Sequence, residues 1–428
     1  MQITQAKSSK RLTSLIMASL LAGILVGYAC NKLAATPEQA KSIASYFSVV
    51  TDVFLRMIKM IIAPLVFSTI VSGITSLGAS GGAVGRIAAR SMGWFISASL
   101  VSLSLGMLFA NLFAPGKGLN LPLPDANAPT NLAVAGINLK DFITHVFPTS
   151  FVQAMATNEI LQILIFSIFF GSALAGLKNS LARTIAGSID ELMHIMLRVT
   201  DIVMRFAPIG VFAAIAAVVT TQGIGVLVTY GWFIGSFYFG LAVLWLLMIG
   251  IGTAILGRSI FHLLALLRQP MLIAFSTASS EAAFPKMLEQ LMKFGVKERI
   301  SGFVLPLGYS FNLDGSMMYQ AFAAIFIAQA YGIEMTFANQ ATLLLAMMVT
   351  SKGIAGVPRA SLVVVAATLP MFNLPAGGLL LILGIDQFLD MGRTMTNVIG
   401  NGIATAAVAK WEDEIASAEI GELQAADT

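Results

Sequence analysis

The sequence predicts an all-α polytopic membrane protein, with roughly eight transmembrane helices and two re-entrant helical hairpins. Three observations carry this. Of 428 residues, 57% are apolar and only 11% are charged, against about 25% charged in soluble domains. Mean hydropathy is +0.85. Charge-free runs recur along the whole chain, while two late segments are short and interrupted by Gly, Ser and Pro. So apolar a chain has too few polar groups to cover a globule, and lipid is its outer solvent. The single Cys30, read as an inert thiol, excludes a disulfide scaffold. A formal net charge of only +4, spread over short loops, gives nucleic acid no reason to be a partner. No cofactor is implied.

The spans follow from the charge-free runs, since a helix needs about 20 mostly apolar residues to cross the hydrocarbon. Residues 12–31, 60–85, 91–116 and 160–177 qualify or nearly do, and 206–257 is long enough for two crossings with a break near Gln222-Gly223. Further runs are 315–333, 335–351, 360–385 and 394–409. The first run follows Lys7, Lys10 and Arg11, as a signal peptide would, but lacks an A-x-A site before Asn31 and is read as a retained span. The same basic cluster puts the N-terminus in the cytoplasm, and Arg86, Arg90, Lys178, Arg183 and Arg258 agree. Residues from Glu412 onward read as a disordered cytoplasmic tail without a site.

Two places break the pattern of spans. Residues 259–275 are helical and apolar but short for a crossing, and lead into Thr277-Ala278-Ser279-Ser280-Glu281, Pro285 and a second helical stretch to about Phe294. Residues 335–350, a tip at 351–359 with two Gly and a Pro, and 360–368 repeat the plan. Paired, interrupted half-helices point to a transporter's binding site. The competing reading is a set of ordinary spans with external loops. Between the hairpins, Gly308-Tyr309-Ser310-Phe311-Asn312-Leu313-Asp314-Gly315-Ser316 holds poor helix formers inside an apolar helix. Unwinding there frees carbonyl oxygens for a cation, with Asn312 and Asp314 adding side-chain oxygen. The alternative is a helix N-cap at Asp314.

The last span is the most informative. Asp386, Asp390, Arg393, Asn397 and Asn401 fall within an arc of about 80° at about 100° per residue. Three charges facing lipid would cost on the order of 8–10 kcal/mol, so the stripe faces protein, water or a ligand. Asp390 and Arg393, one turn apart, offset part of that cost by pairing, and a purely structural pair is the competing reading. A planar guanidinium suits a carboxylate, Asp390 accepts from an ammonium, and Ser279, Ser280 and the hairpin backbones donate to a second carboxylate. A ligand with two carboxylates and one amine, aspartate or glutamate, fits this set. An intramembrane protease lacks a base for Ser279, and a channel would show repeated rings of like residues.

These residues carry a resemblance. Met57-Ile58-Lys59-Met60-Ile61-Ile62-Ala63-Pro64-Leu65, Ser279-Ser280-Glu281, Asn312-Leu313-Asp314-Gly315-Ser316, Gly356-Val357-Pro358 and Asp390-Met391-Gly392-Arg393-Thr394-Met395-Thr396-Asn397 resemble, in order, the motifs of the dicarboxylate/amino acid:cation symporters, the glutamate transporter family. The nearest likeness is to bacterial proton-linked glutamate/aspartate symporters of the cytoplasmic (inner) membrane, with both termini cytoplasmic. The resemblance implies a homotrimer, each subunit with a scaffold and an elevator-type transport domain. Residues 1–85 (spans 1 and 2) and 117–222 (spans 4 and 5) would form the scaffold. Residues 86–116 (span 3) and 223–411 would form the transport domain, with 412–428 as the tail. Within 223–411 lie span 6, hairpin 1 at about 259–294, span 7 at about 298–332, hairpin 2 at about 338–371 and span 8 at about 375–410. Arg393 would take the substrate side-chain carboxylate and Asp390 the amine, with Thr394 and Asn397 beside them. Ser279, Ser280, Val357 and Ser316 would hold the main-chain carboxylate.

For the coupling ion the resemblance points to Gly308, Ser310, Asn312, Asp314, Ser351, Lys352, Asn401 and Glu281, with sodium a candidate at Asn312, Asp314 and Asn397. Departures bear on this. Sodium-coupled members carry a carboxylate where this chain has Asn401, and Tyr and Thr where it has Phe95 and Ala98. Lys352 borders the remaining sodium site, and its ammonium is placed to stand in for a cation. Proton coupling is therefore the leading expectation, with sodium alongside protons the other. Glu281 and Asp390 are the candidate proton carriers, because Ile96 and Gln320 occupy positions where relatives have Glu. Arg359 replaces a Gly of several sodium-linked relatives. Retention of Asp390 favours an amino acid over a C4-dicarboxylate such as succinate, which remains the alternative substrate. His145, His194 and His262 lack metal-ligand spacing.

Overall fold

The structure, a computed structural model, describes residues 2–77, 81–117, 123–125, 144, 146–177, 179–223, 230–351, 360–383 and 385–416. Among these the chain is helical, and its only extended pairing is an isolated bridge between Val296 and Ile415. Long helices come first: α1 (Gln2–Leu33), α2 (Pro37–Leu77) and α3 (Gly81–Phe113). After α4 (Phe151–Thr157) come α5 (Ile160–Gly176), α6 (Ser180–Met204), α7 (Ala207–Gln222) and α8 (Gly231–Leu256). The last part holds α9 (Ser259–Thr277), α10 (Ser280–Lys293), α11 (Glu298–Phe311), α12 (Asp314–Ala330), α13 (Phe337–Thr350) and α14 (Ala360–Thr368). Two 3₁₀ turns, α15 (Leu379–Leu383) and α16 (Asp386–Trp411) complete it.

Local chemistry sets these boundaries. Thr36 Oγ1 accepts from the Gln39 N–H at 3.2 Å before α2, and Asn179 Oδ1 from the Ala182 N–H at 2.7 Å before α6. Each satisfies a donor that the first helical turn leaves open. Pro208 sits in the first turn of α7, where its missing N–H costs nothing, and α6 and α7 meet at a bend of 54°.

Among the described residues, five stretches are long and apolar enough to cross a membrane: Ser14–Leu33, Pro37–Thr75, Val84–Phe113, Gly231–Leu256 and Ser259–Thr277, and the bent α6–α7 pair raises this to 6. The segment expected to be too short at 259–275 is thus long enough by itself. What keeps α9 from reading as a lone span is its partner. Ala278 takes the left-handed conformation at φ 48°, and Ser279 then starts α10 by accepting from the Ala282 N–H at 3.2 Å, so α10 packs back along α9. The tip of the second expected hairpin, 352–359, lies outside the described residues, but its arms α13 and α14 pack together.

Burial separates rim from interior. Only 17% of the apolar stretch of α1 is buried, and Leu15, Leu21, Leu25 and Leu33 are exposed, as a lipid-facing helix requires. By contrast α11 is buried from Ile300 to Ser310 and α12 from Asp314 to Ala328. A helix apolar and buried all round belongs to the interior. Helices α1, α2, α5, α6 and α7 pack among themselves, and so do α3, α8, α9, α11, α12 and α16. The second group, to which α10 also belongs, meets the first where α2 crosses α11 and α10, where α5 meets α11, where α6 meets α10, and where α1 and α7 touch α9.

One expectation is corrected. Residues 412–416 are a strap, not a free tail. Glu412 pairs with Arg86 at 2.8 Å and Arg90 at 2.9 Å on α3, and Glu414 pairs with Arg299 and, at 2.7 Å, with Lys297. Backbone bonds from Lys297 N to Glu414 O (3.0 Å) and Ala416 N to Gly295 O (2.9 Å) complete the join. Basic residues at the helix ends attract the acids that follow α16. Residues 417–428 lie outside the described set.

Candidate substrate and ion-coupling site

Helix α16 carries the polar stripe through the interior. Its first charge, Asp386, is 1% exposed and so is Arg393. Arg393 Nη1 lies 3.0 Å from Asp386 Oδ1, while Nη2 and Nε lie 2.8 and 3.1 Å from Asp390 Oδ1. The guanidinium carbon stands 4.0 Å from the centroid of the Tyr319 ring. Spacing of seven and three residues on one helix brings both acids to the same cation. Asp390 is the open side of this cluster, its side chain 23% exposed. The stripe therefore points into protein, with one carboxylate at its mouth. Asp386 and Tyr319 are the partners that sequence reasoning left without a role: Asp386 was visible in the stripe, but nothing in the spacing of α12 announces Tyr319.

One turn further on, Asn397 gathers the expected substrate residues. Its Oδ1 accepts from the Gly315 N–H at 2.9 Å and the Ser316 N–H at 3.4 Å, and its Nδ2 donates to Ser316 Oγ at 3.2 Å and Ser280 Oγ at 3.4 Å. Thr394 Oγ1 donates to Ala274 O of α9 at 2.9 Å, and Ser280 Oγ to Thr394 O at 3.5 Å. Ser279 is partly exposed at the hairpin tip. Thus Ser280, Ser316, Thr394 and Asn397 converge one turn beyond Asp390 and Arg393, Ser279 adjoins them in the chain as the cap of α10, and Val357 lies outside the described residues.

Of the residues expected to couple the ion, Gly308, Ser310, Asn312, Asp314 and Asn401 form a second cluster at the break between α11 and α12. Asn312 (φ −123°, ψ 63°) and Leu313 (φ −99°, ψ 63°) leave the helix, as the sequence predicts. Asp314 is not the N-cap of the alternative reading; Leu313 holds that place, and Asp314 opens α12. Ser102 Oγ of α3 donates to Asp314 Oδ1, and Ser99 Oγ to Phe311 O, both at 3.4 Å. Sequence reasoning missed these two serines, whose only signal is a spacing of three on a charge-free span. Asn312 Nδ2 donates to Asn401 Oδ1 at 3.2 Å. Gly308 backs onto this pair so closely that a methyl group there would strike Asn401 Oδ1. Ser310 Oγ, Asn312 Oδ1 and Asn401 Nδ2 are buried without a hydrogen-bond partner among the described residues, a condition that costs about 1–3 kcal/mol each unless something fills the space. Ser351, buried at the end of α13, donates to Met348 O at 3.3 Å; Lys352 and Arg359 lie outside the described residues. Glu281 stands apart, in the first turn of α10, with Lys59 and Glu159 as its charged neighbours.

Comparison with known proteins bears on this geometry. Residues 12–411 match the model of the sodium:dicarboxylate symporter family. The chain is 36% identical over 406 residues to the "Proton/sodium-glutamate symport protein" of Bacillus subtilis (strain 168), covering 94% of this chain and 92% of that one. It is 37% identical over 404 residues to the protein of the same name from Bacillus caldotenax, covering 93% and 94%. It is 38% identical over 411 residues to the "C4-dicarboxylate transport protein" of Acinetobacter baylyi, covering 92% and 90%. With the match running from the first span to the end of α16, the chain belongs to the sodium:dicarboxylate symporter family, a family of membrane transporters and not of enzymes.

Proposed function

We propose that this symporter imports acidic amino acids, glutamate or aspartate, across a bacterial cytoplasmic membrane, driven by protons, with sodium the second candidate ion. The observation that carries it is the buried Arg393 whose two edges are held by separate acids, one of them at the mouth of the cluster. Asp386 keeps the inner edge compensated. Asp390 holds the outer edge only until a ligand arrives. A substrate carboxylate then replaces Asp390 on Nε and Nη2, and the freed Asp390 accepts from the substrate ammonium. Ser280, Ser316 and Thr394, already tied to Asn397 and α16, lie ready for the second carboxylate with the hairpin amides.

Proton coupling draws support from Asn401. Its oxygen is occupied by Asn312, and its amide offers N–H groups where a cation needs oxygen. The packing of α1, α2 and α5–α7 among themselves, against a second packed group that they meet along α9–α11, is consistent with a scaffold at 1–85 and 117–222 and a transport domain at 86–116 and 223–411. In this reading the chain makes eight crossings and two re-entrant hairpins, moves by an elevator mechanism, and assembles as a homotrimer. Uptake of labelled glutamate into proteoliposomes, with proton and sodium gradients imposed separately, tests it: a proton gradient alone should drive accumulation, and dependence on sodium at fixed pH refutes pure proton coupling.

The relative named as a C4-dicarboxylate transporter favours a second reading, a proton symporter for succinate, fumarate or malate. Competition of labelled glutamate by aspartate and by succinate separates them, because only the amine-bearing ligand uses Asp390.

A further inference from the structure

We propose that Tyr238 is a positioning residue for amine recognition: seated on Gly392 behind the Asp390–Arg393 pair, it fixes the turn of α16 that presents Asp390 to the substrate. This rests on the reading above, in which Asp390 takes the ammonium.

Helix α8 is apolar, yet two of its side chains spend their polar groups on α16. Ser236 and Thr253 bond carbonyls of α8 itself, at 2.6 and 2.7 Å. Tyr238 and Trp245 instead reach across. The Tyr238 hydroxyl donates to Phe388 O at 2.6 Å, the carbonyl two residues before Asp390. Trp245 Nε1 donates to Thr396 Oγ1 at 2.7 Å, and that hydroxyl donates to Gly392 O at 2.8 Å. The two bonds grip α16 two residues before Asp390 and three residues after Arg393. Gly392 permits the grip. A Cβ there would lie 2.8 Å from Tyr238 Cζ, 2.9 Å from Cε1 and 3.0 Å from Leu241 Cδ1, so only glycine lets the ring lie against the backbone between Asp390 and Arg393.

The grip falls on the back of the helix. At about 100° per residue, positions 388, 392 and 396 sit roughly 180°, 140° and 100° round from the centre of the stripe, so Tyr238, seated at 388 and 392, acts through α16 and not by touching substrate. Its effect is selective for chemical reasons. An ammonium–carboxylate hydrogen bond demands a placed Asp390. A dicarboxylate without an amine asks only for Arg393 and the hydroxyls, so loosening this turn penalises the amino acid and spares the diacid.

The test is Tyr238→Phe, which removes one oxygen and keeps the ring. We expect the KM for aspartate in proteoliposome uptake to rise about tenfold, the worth of one hydrogen bond, with kcat, melting temperature and inhibition by succinate unchanged. Gly392→Ala should raise the aspartate KM likewise, and the double variant Gly392→Ala/Tyr238→Leu, which vacates the space, should recover most of it. A wild-type ratio of aspartate to succinate affinity in Tyr238→Phe overturns the proposal. So does an equal loss for both ligands with a lower melting temperature, which marks a purely structural role. Wild-type protein that accumulates succinate but neither aspartate nor glutamate removes the underlying reading instead, before any variant is compared.

Discussion

Arg393 rests on the face of Tyr319, guanidinium carbon to ring centroid 4.0 Å, and both side chains are fully buried. The ring supplies a weakly attractive, water-free floor beneath a cation whose edges are taken by two acids. A desolvated cation–π contact is worth about 2 kcal/mol. Tyr319→Leu should therefore weaken glutamate binding by roughly tenfold to thirtyfold, while Tyr319→Phe, which keeps the π face, should stay near wild type. Binding by calorimetry in detergent separates the two; equal loss in both would assign the effect to the hydroxyl.

Asp386 is the partner that never leaves Arg393 in the proposed cycle. Asp386→Asn keeps the shape and removes the charge, leaving Asp390 alone to compensate the guanidinium. Breaking a buried pair costs about 3–5 kcal/mol. The variant should melt several degrees lower, and glutamate uptake should fall at least tenfold because Asp390 can no longer be released. Arg393→Cys should abolish binding of acidic substrates. Thermal shift together with uptake reads both, and unchanged glutamate affinity in Arg393→Cys would remove the assignment.

Replacing Asn401 with Asp restores an acceptor at the break between α11 and α12. Asn312 Nδ2, now 3.2 Å from Asn401 Oδ1, can still donate to the new side chain, and a second carboxylate oxygen becomes available to a hard cation. Asn401→Asp should make uptake respond to sodium at fixed pH, whereas the proton-coupled cycle proposed above gives the wild type no such response. Indifference of the variant to sodium would count against that cluster as an ion site.

Lys286 on α10 is 5% exposed and lies 2.5 Å from Glu289 and 3.8 Å from Asp201 on α6. The second contact bridges the two helix groups that the elevator reading sets in relative motion. Asp201 is half-exposed, so the bridge is worth at most about 1 kcal/mol. Asp201→Asn should leave the melting temperature and substrate affinity nearly unchanged and raise the initial uptake rate up to a few-fold, an effect that shrinks in high salt. A rate equal to wild type at low salt would mean the pair does not open during transport.

The strap offers a stability test. Glu412→Gln removes the partner that Arg86 and Arg90 share. Both arginines are solvent-facing, so the loss should be small, about 1 kcal/mol or less. Truncation after Trp411 also removes Glu414 and its backbone bonds and should lower the melting temperature more. Differential scanning of the two variants ranks them.

The amino-acid order by itself determined what depends on local composition and spacing. A charge-poor, apolar chain must place its surface in lipid. Three charges and two Asn repeating at helical spacing must share one face, and the run Asn312-Leu313-Asp314-Gly315 cannot hold a continuous helix; the structure agrees on these last two counts and holds several apolar helices long enough to span a bilayer. Packing alone decided which surfaces meet these faces. Sequence spacing could not announce that Tyr319 from α12 would lie under Arg393, that Ser99 and Ser102 from α3 would turn to the unwound segment, that Asn397 would join hairpin to helix, or that Glu412 and Glu414 would fasten the helix ends. Those contacts join residues far apart in the chain, and each exists because buried polar groups must find partners once helices close-pack. A single helix carries its periodicity in its own sequence, but the identity of its neighbour is a property of the whole fold.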